Sequence, residues 1–285
     1  CDAYFYVPFI MRNVAPKLKV TMHIFNQSGA TLADQWSLLS ENKKYHSYHV
    51  YNGSGVWWSS RTNEFSVADI LKSNRNSINL VLLQQGSAES ANQQSYQPYV
   101  NDIVHALKDS IGSHVEVGFL LTPAYPQDSW WLTTLGSNGL TSNEMYELTA
   151  KAIRKTLDTS DVNFIIPAGT AIQNARTTAL DSIGKWQYHH LSCDGMHLQD
   201  GAPCLIEGYM VSQALLQHMH RSETIWDEKK TLPITKEWLE TIGAREVGLP
   251  VQGMEPSNIE LVKRSVRAAL KTPFSITDCS QPEEK

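Results

Sequence analysis

At 285 residues the chain has room for one large domain or two small ones, since single hydrophobic cores stop growing near roughly 250–300 residues. Hydrophobic residues make up 41% and charged residues 19%, the balance of an ordinary globular protein able to bury a sizeable core. A net charge of −5, with no basic run longer than a pair, leaves no cationic footprint for nucleic acid or anionic membrane, and no apolar run reaches the roughly 20 residues that span a bilayer.

Taken in chain order, strands and helices alternate, which points to an α/β protein with a mainly parallel sheet. Phe5, Phe9, Ile10 and Val14 have a helical spacing that predicts a helix over 3–14, ended by Pro16. Leu18, Val20, Met22 and Ile24 alternate and predict a strand from Lys17 to Phe25. After a turn at 26–29, Leu32, Trp36 and Leu39 share one face of a helix over 31–42 with Thr31 as its N-cap. Residues 45–60 are aromatic and β-branched around Asn52-Gly53, a hairpin signal read as an excursion from the main sheet. A short helix near 66–73 precedes Ile78–Leu83, a continuous apolar run of the kind that forms a buried parallel strand.

Helix 98–111, strand 115–121, helix 142–157, strand 163–166, a partly helical 168–180 and a long helix over 201–220 complete the pattern. Past 221 charge rises and Pro and Gly recur. Residues 1–220 are therefore expected to form the main domain, and 221–285 a helical extension packed on it, with helices at 235–242 and 257–271. The tail from Gln281 to Lys285 is expected to be disordered.

Cys1, Cys193, Cys204 and Cys279 contain no Cys-x-x-Cys pair, which argues against a zinc knuckle or a thioredoxin motif. A bridge between Cys193 and Cys204 would need an oxidising compartment; buried thiols are the preferred reading. The chain starts Cys1-Asp2-Ala3, without Met, so the compartment stays open, with an extracytoplasmic one favoured.

Ligands and catalytic groups in open α/β sheets gather at the carboxyl ends of strands. Three segments stand there: Ser28-Gly29, Gln84-Gln85-Gly86-Ser87, and Ser192-Cys193-Asp194-Gly195-Met196-His197. In the last, an Asp three residues before a His on a glycine turn lets the carboxylate hold one ring nitrogen and leaves the other facing a nucleophile. On spacing alone, a solvated turn Asp and a surface His fit as well. His189, His190, Cys193, Asp194 and His197 also invite a metal reading, but there is no His-Glu-x-x-His helix and no cysteine pair, so no metal or other cofactor is expected. His218 and His220, at a helix tail, are expected to face solvent. The pairs Trp57-Trp58 and Trp130-Trp131 offer sugar-stacking rings, at most one of each pair lining a site because neighbours tend to face opposite ways.

The stretches Ser28–Leu32, Leu83–Ser87, Tyr96–Tyr99, Pro167–Arg176 and Asp194–Leu198 together resemble the SGNH/GDSL hydrolase superfamily, and closely a branch of it known only as a domain of unknown function. The resemblance spans roughly residues 1–220, and Pro167–Arg176 with Asp194–His197 is its most specific part. It implies a three-layer α/β sandwich of flavodoxin-like type. It further implies a catalytic Asp194–His197 pair, and an oxyanion hole built from Gly29 and a side-chain amide. The superfamily's Gly-x-Asn is replaced here by Gly86-Ser87-Ala88, so Gln85, or else Gln84, is expected to present that amide. The first strand and its nucleophilic serine are expected a few residues before Cys1, and Cys1 is not a substitute. The chain by itself is then expected to be inactive.

The function so implied is a serine esterase removing a small acyl group, such as acetyl, from a carbohydrate, with a small-molecule or glycan ester as partner. Trp57 and Asn174 are carried as substrate-binding residues, although Asn174 and Arg176 also fit a structural role at a helix start. The rival reading is a non-catalytic glycan-binding protein on the same fold.

Overall fold

Two threonines set helix starts through their neighbours three residues on. Thr31 and Thr141 each accept the backbone N–H of Asp34 and Glu144, whose carboxylates return the bond to the threonine N–H. These capping boxes satisfy otherwise orphaned amides at the heads of α2 (Leu32–Ser40) and α6 (Ser142–Leu157). The computed structural model describes residues 2–53, 57–60, 64–134, 139–184, 190–227 and 251–281. Within them a 3₁₀ turn, Asp2–Tyr6, leads into α1 (Val7–Val14).

The protein is mixed α/β, with two three-stranded sheets among the described residues. In one, β1 (Met22–Asn26), β2 (Ser47–Tyr51) and β3 (Trp57–Ser60) run antiparallel in that order, with Met22 opposite Tyr51 and Tyr51 opposite Trp57. In the other, β4 (Leu80–Gln84), β5 (Glu116–Leu120) and β6 (Phe164–Ile166) are parallel, with β5 central. Helices α3 (Val67–Asn74) and α4 (Tyr99–Ile111) bracket β4 in the chain, and α5 (Trp131–Thr134) and α6 follow β5. After β6 come α7 (Ala168–Arg176), α8 (Ala202–His218) and α9 (Pro256–Lys271).

Strand β5 shows how the period of two builds two cores. Val117 and Phe119 enter a cluster with Leu83, with Val104 and Leu107 of α4, and with Met145 and Ile153 of α6. Leu120 joins a second cluster with Ile166, Ile10 of α1, Ile172 of α7 and Met210 of α8. Helices thus cover both faces of the parallel sheet, which is how such sheets keep their backbone dry. Val251 and α9, through Val262, Val266 and Ala269, belong to the second cluster, so the residues past 250 share the main core. Among the described residues no helix is long and apolar enough to cross a membrane.

Several expectations change. Residues 17–25, expected as a strand throughout, supply β1 of the antiparallel sheet only from Met22, because β2 faces 22–26 alone. In Ile78–Leu83 only Leu83 is buried, since β4 has a ladder with β5 on one side only. His218 does not simply face solvent: its ring stacks on Phe164 at 3.9 Å and Nε2 lies 2.7 Å from Glu116. The predicted helix at 235–242 lies outside the described residues, as do 282–285 of the predicted tail.

Candidate active site

Residues 192–198 form a closed loop between an antiparallel bridge, Ser192 to Leu198, and the head of α8. The Ser192 hydroxyl donates to His197 O at 2.9 Å and accepts Gly195 N–H at 2.8 Å, so a single buried side chain spans the loop from within. Gly195 sits at φ +85, a left-handed conformation that an L side chain resists, and this turn brings residue 197 back over residue 194.

The return closes a carboxylate–imidazole pair. Asp194 Oδ2 meets His197 Nδ1 at 2.6 Å, while Oδ1 accepts the backbone N–H of Met196 at 2.9 Å and of His197 at 2.7 Å. Partial burial pushes the Asp194 carboxyl up. The bonds from the His197 ring and backbone, the ring's charge and the Met196 N–H outweigh it and bring the pKa down to about 2. The carboxylate is therefore ionised at neutral pH and fixes the proton of the neutral ring on Nδ1, which leaves the Nε2 lone pair as a base. Nε2 makes no hydrogen bond among the described residues, and the His197 side chain is 59% exposed.

Hydrogen bonds and close contacts link this loop to the carboxyl ends of three strands. Ser129 Oγ, in the loop after β5, donates to Gly195 O at 2.5 Å. In that same loop Tyr125 OH lies 2.9 Å from Ser87 Oγ, in the loop after β4. That second loop meets the one after β1, where a Cβ on Gly86 would stand 2.7 Å from Ala30 O, so the backbones approach too closely for any side chain. Gly29, Gly86–Ser87, Tyr125–Ser129 and Asp194–His197 thus lie on one chain of linked loops, the rim.

Of the residues singled out in the sequence, Gly29 lies on the rim at φ +68, and its N–H donates no hydrogen bond among the described residues. Gln85 does not fit the amide role. It is 1% exposed, Oε1 accepts Leu32 N–H and Gly86 N–H at 2.9 Å each, and Nε2 donates to Ser95 O and Ser95 Oγ. Both ends of its amide are spent on holding the β4 loop. Gln84 uses only Oε1, which accepts Tyr4 OH at 2.7 Å, so its NH₂ makes no hydrogen bond among the described residues.

Asn174 does not fit a substrate contact. It is fully buried, Nδ2 donates to Ser265 O at 3.2 Å and Oδ1 accepts Thr277 N–H at 2.7 Å, which ties α7 to α9 and the segment beyond it. The backbone of Trp57 starts β3; its side chain lies outside the described atoms. No disulfide joins Cys193 to Cys204 among the described residues. His190 and His197 take separate carboxylates, Asp181 at 2.7 Å and Asp194 at 2.6 Å. Among the described residues no group of three His, Cys, Asp or Glu could hold a metal ion.

Sequence reasoning missed Ser129 and Tyr125, and gave Arg176 only a role at a helix start. Arg176 donates through Nη1 to Ala124 O at 3.0 Å and to Ser142 Oγ at 3.1 Å, and through Nε to His190 O at 3.3 Å. Desolvation lowers its pKa to about 10 against the pull of Asp181 and Asp128, so it is charged at neutral pH. His190 and Leu191 both hold positive φ, +55 and +70, kept there by N–H bonds to Asp181 O and Ile183 O at 2.7 Å each. The adjacent rings of Trp130 and Trp131 do not face opposite ways: they stack 4.0 Å apart, and Trp130 is 46% exposed.

Comparison with known proteins adds a family. The structure resembles the crystal structure of a DUF4886 family protein from Bacteroides uniformis ATCC 8492, with a TM-score of 0.72 and 19% sequence identity over 95% of this chain and 92% of that one. No curated protein matches. The profile described as "Domain of unknown function (DUF4886)" matches residues 10–209, most of the chain. With the family profile spanning both the parallel sheet and the Asp194–His197 loop, the chain belongs to the DUF4886 family.

Proposed function

We propose that the protein is a serine esterase of SGNH/GDSL type, built as a three-layer α/β sandwich and acting on a small acyl ester of a carbohydrate. The observation that carries this reading is the Asp194–His197 pair, in which the carboxylate holds Nδ1 and Nε2 is unengaged among the described residues. In the reaction, Nε2 takes the proton of a serine hydroxyl whose oxygen attacks the ester carbonyl. The collapsing tetrahedral intermediate expels the sugar alcohol, which receives that proton from the imidazolium. A water molecule then repeats the cycle on the acyl-enzyme and releases the carboxylic acid. Asp194 holds the ring and stabilises its charge. The Gly29 N–H and the Gln84 NH₂ donate to the developing oxyanion.

Three serines of the linked loops are committed to other partners. Ser87, Ser129 and Ser192 have their hydroxyls bound to Tyr125, Gly195 O and His197 O. In this reading the serine stands at the end of a strand that takes the open edge of β4, within reach of Nε2.

The test is hydrolysis of p-nitrophenyl acetate by the full-length natural protein against its His197→Ala variant. The expected result is a loss of roughly 10³–10⁴-fold or more in kcat, the scale for removing one member of a triad. Equal rates in the two proteins would overturn the hydrolase reading and leave a glycan-binding role on the same fold as the better account.

A further inference from the structure

We infer that His190 is a positioning residue whose charged ring clamps the segment carrying Asp194 and His197 to the loop after β5. The inference deepens the esterase reading and rests on it for what the clamp serves. His190 opens the segment that carries the pair, and its ring lies between two carboxylates from different parts of the chain. Nδ1 meets Asp181 Oδ2 at 2.7 Å, in the 3₁₀ turn Ala179–Ser182, and Nε2 stands 4.0 Å from Asp128 Oδ1, in the loop after β5. An ionised carboxylate only accepts, so Nδ1 is the donor to Asp181. A neutral ring then turns its Nε2 lone pair toward the Asp128 oxygen, and two acceptors face each other. A second proton converts that contact into an ion pair.

The surrounding charges favour that proton. Among the described residues the charged groups that the ring and backbone of His190 meet are Asp181, Asp128 and Arg176, whose Nε donates to His190 O. Two carboxylates against one desolvated guanidinium leave an excess negative charge, which an imidazolium cancels. Asp181 Oδ1 is buried and makes no hydrogen bond among the described residues, so the ring is this carboxylate's hydrogen-bonding partner. Asp128 precedes Ser129, whose Oγ holds Gly195 O at 2.5 Å. His190 stands two residues before Ser192, whose hydroxyl spans the turn from Gly195 N–H to His197 O. One loop therefore grips the catalytic segment at its start and at its middle. The grip at the start is set by a proton, in the range of roughly pH 5–8 where histidine changes charge. The site then uses two histidines in opposite states, His197 neutral as the base and His190 charged as the clamp.

The experiment separates the two claims. Histidine ring and backbone amide signals are followed by NMR from pH 5 to 9 in the full-length His197→Ala protein, which removes the titration of the catalytic ring itself. The Ser129 and Gly195 amide shifts are expected to move with the midpoint of the His190 ring. Asp128→Asn and His190→Asn, each added to that protein, are expected to abolish most of this movement. Asparagine suits position 190 because it tolerates the left-handed backbone there, at φ +55. In the active protein, kcat on p-nitrophenyl acetate is expected to fall about two- to fivefold as pH rises through the same midpoint, the scale of a partly exposed ion pair. Both variants are expected to flatten this alkaline limb, and thermal melts check that they fold. Ser129 and Gly195 amides that ignore the His190 titration, or an alkaline limb unchanged in Asp128→Asn, would overturn the clamp even with hydrolysis dependent on His197. Equal p-nitrophenyl acetate rates with and without His197 would sink the esterase reading alone, since no hydrolysis enters the NMR titration.

Discussion

The Ser129 hydroxyl reaches across 66 positions of sequence to donate to the Gly195 carbonyl at 2.5 Å, and so couples the turn that presents the imidazole to the loop after β5. Ser129 is 3% exposed and its oxygen also accepts Trp131 N–H at 3.2 Å. Replacing it by alanine leaves a buried carbonyl without its donor. Ser129→Ala is expected to lose about 1–3 kcal/mol of stability, read as a lower urea midpoint at constant m-value. The emission of Trp130 and Trp131 should change with it. An unaltered midpoint and spectrum would mean that the loops are held by other contacts.

The two neighbouring glutamines are expected to fail in opposite ways. Gln85→Ala removes four hydrogen bonds from a buried site and should cost roughly 2–4 kcal/mol of stability. Gln84→Ala removes a half-buried side chain that only Tyr4 engages, so the fold should hold while kcat falls about 10²–10³-fold, the scale of one oxyanion donor. Urea titration and ester kinetics on both variants check the contrast. A Gln84→Ala enzyme of full activity would remove that residue from the oxyanion hole.

Asn174 works at a distance from the rim. Asn174→Leu keeps the volume but leaves the Thr277 N–H without its acceptor and removes the bond to Ser265 O, a loss of about 1–3 kcal/mol. Its effect on KM should be small in whatever fraction stays folded. A raised KM at unchanged stability would restore Asn174 to the substrate.

The pH behaviour of the pair follows from the carboxylate. Its pKa falls from 3.8 to about 2, so the folded protein binds this proton less readily than the unfolded chain. The Asp194 contribution to stability is present above about pH 3.8 and is lost as pH falls through about 2. Between pH 4 and 9 Asp194 stays charged, and an acid limb of activity in that range belongs to another group. Asp194→Asn is expected to lower kcat about 10⁴-fold across this range by favouring the wrong tautomer of His197. A titration of the Asp194 side chain followed by NMR, with a midpoint near 4, would contradict the assignment.

Arg176 is expected to tolerate no substitute. Its fork reaches the carbonyls of Ala124 and His190 from two separate nitrogens, which the single ammonium of lysine cannot reproduce. Arg176→Lys should therefore lose about 2–4 kcal/mol and loosen both loops, seen as faster amide exchange at residues 124–129 and 190–198. Protection equal to the wild type would show that the loops are aligned by other contacts.

Much was legible from local chemistry. Thr31 announces a helix start because a cap acts over three residues, and the structure shows the same device at Thr141 with Glu144. Asp194 and His197 are another separation of three, joined across a glycine turn, so the sequence alone identifies a carboxylate able to reach its imidazole. What these side chains share is that their partners are neighbours in the chain. Gln85 binds Leu32 across 53 positions and Asn174 binds Thr277 across 103, and neither commitment is visible in a motif that reads simply as available amides. The split into antiparallel and parallel sheets has the same origin: alternation in 17–25 specifies a strand, while the identity of its partner depends on which distant edge it meets. Tertiary packing likewise decided that Trp130, rather than Asn174, stands near the Asp194–His197 turn, because the long-range Ser129–Gly195 bond and the Arg176 fork bring those loops together.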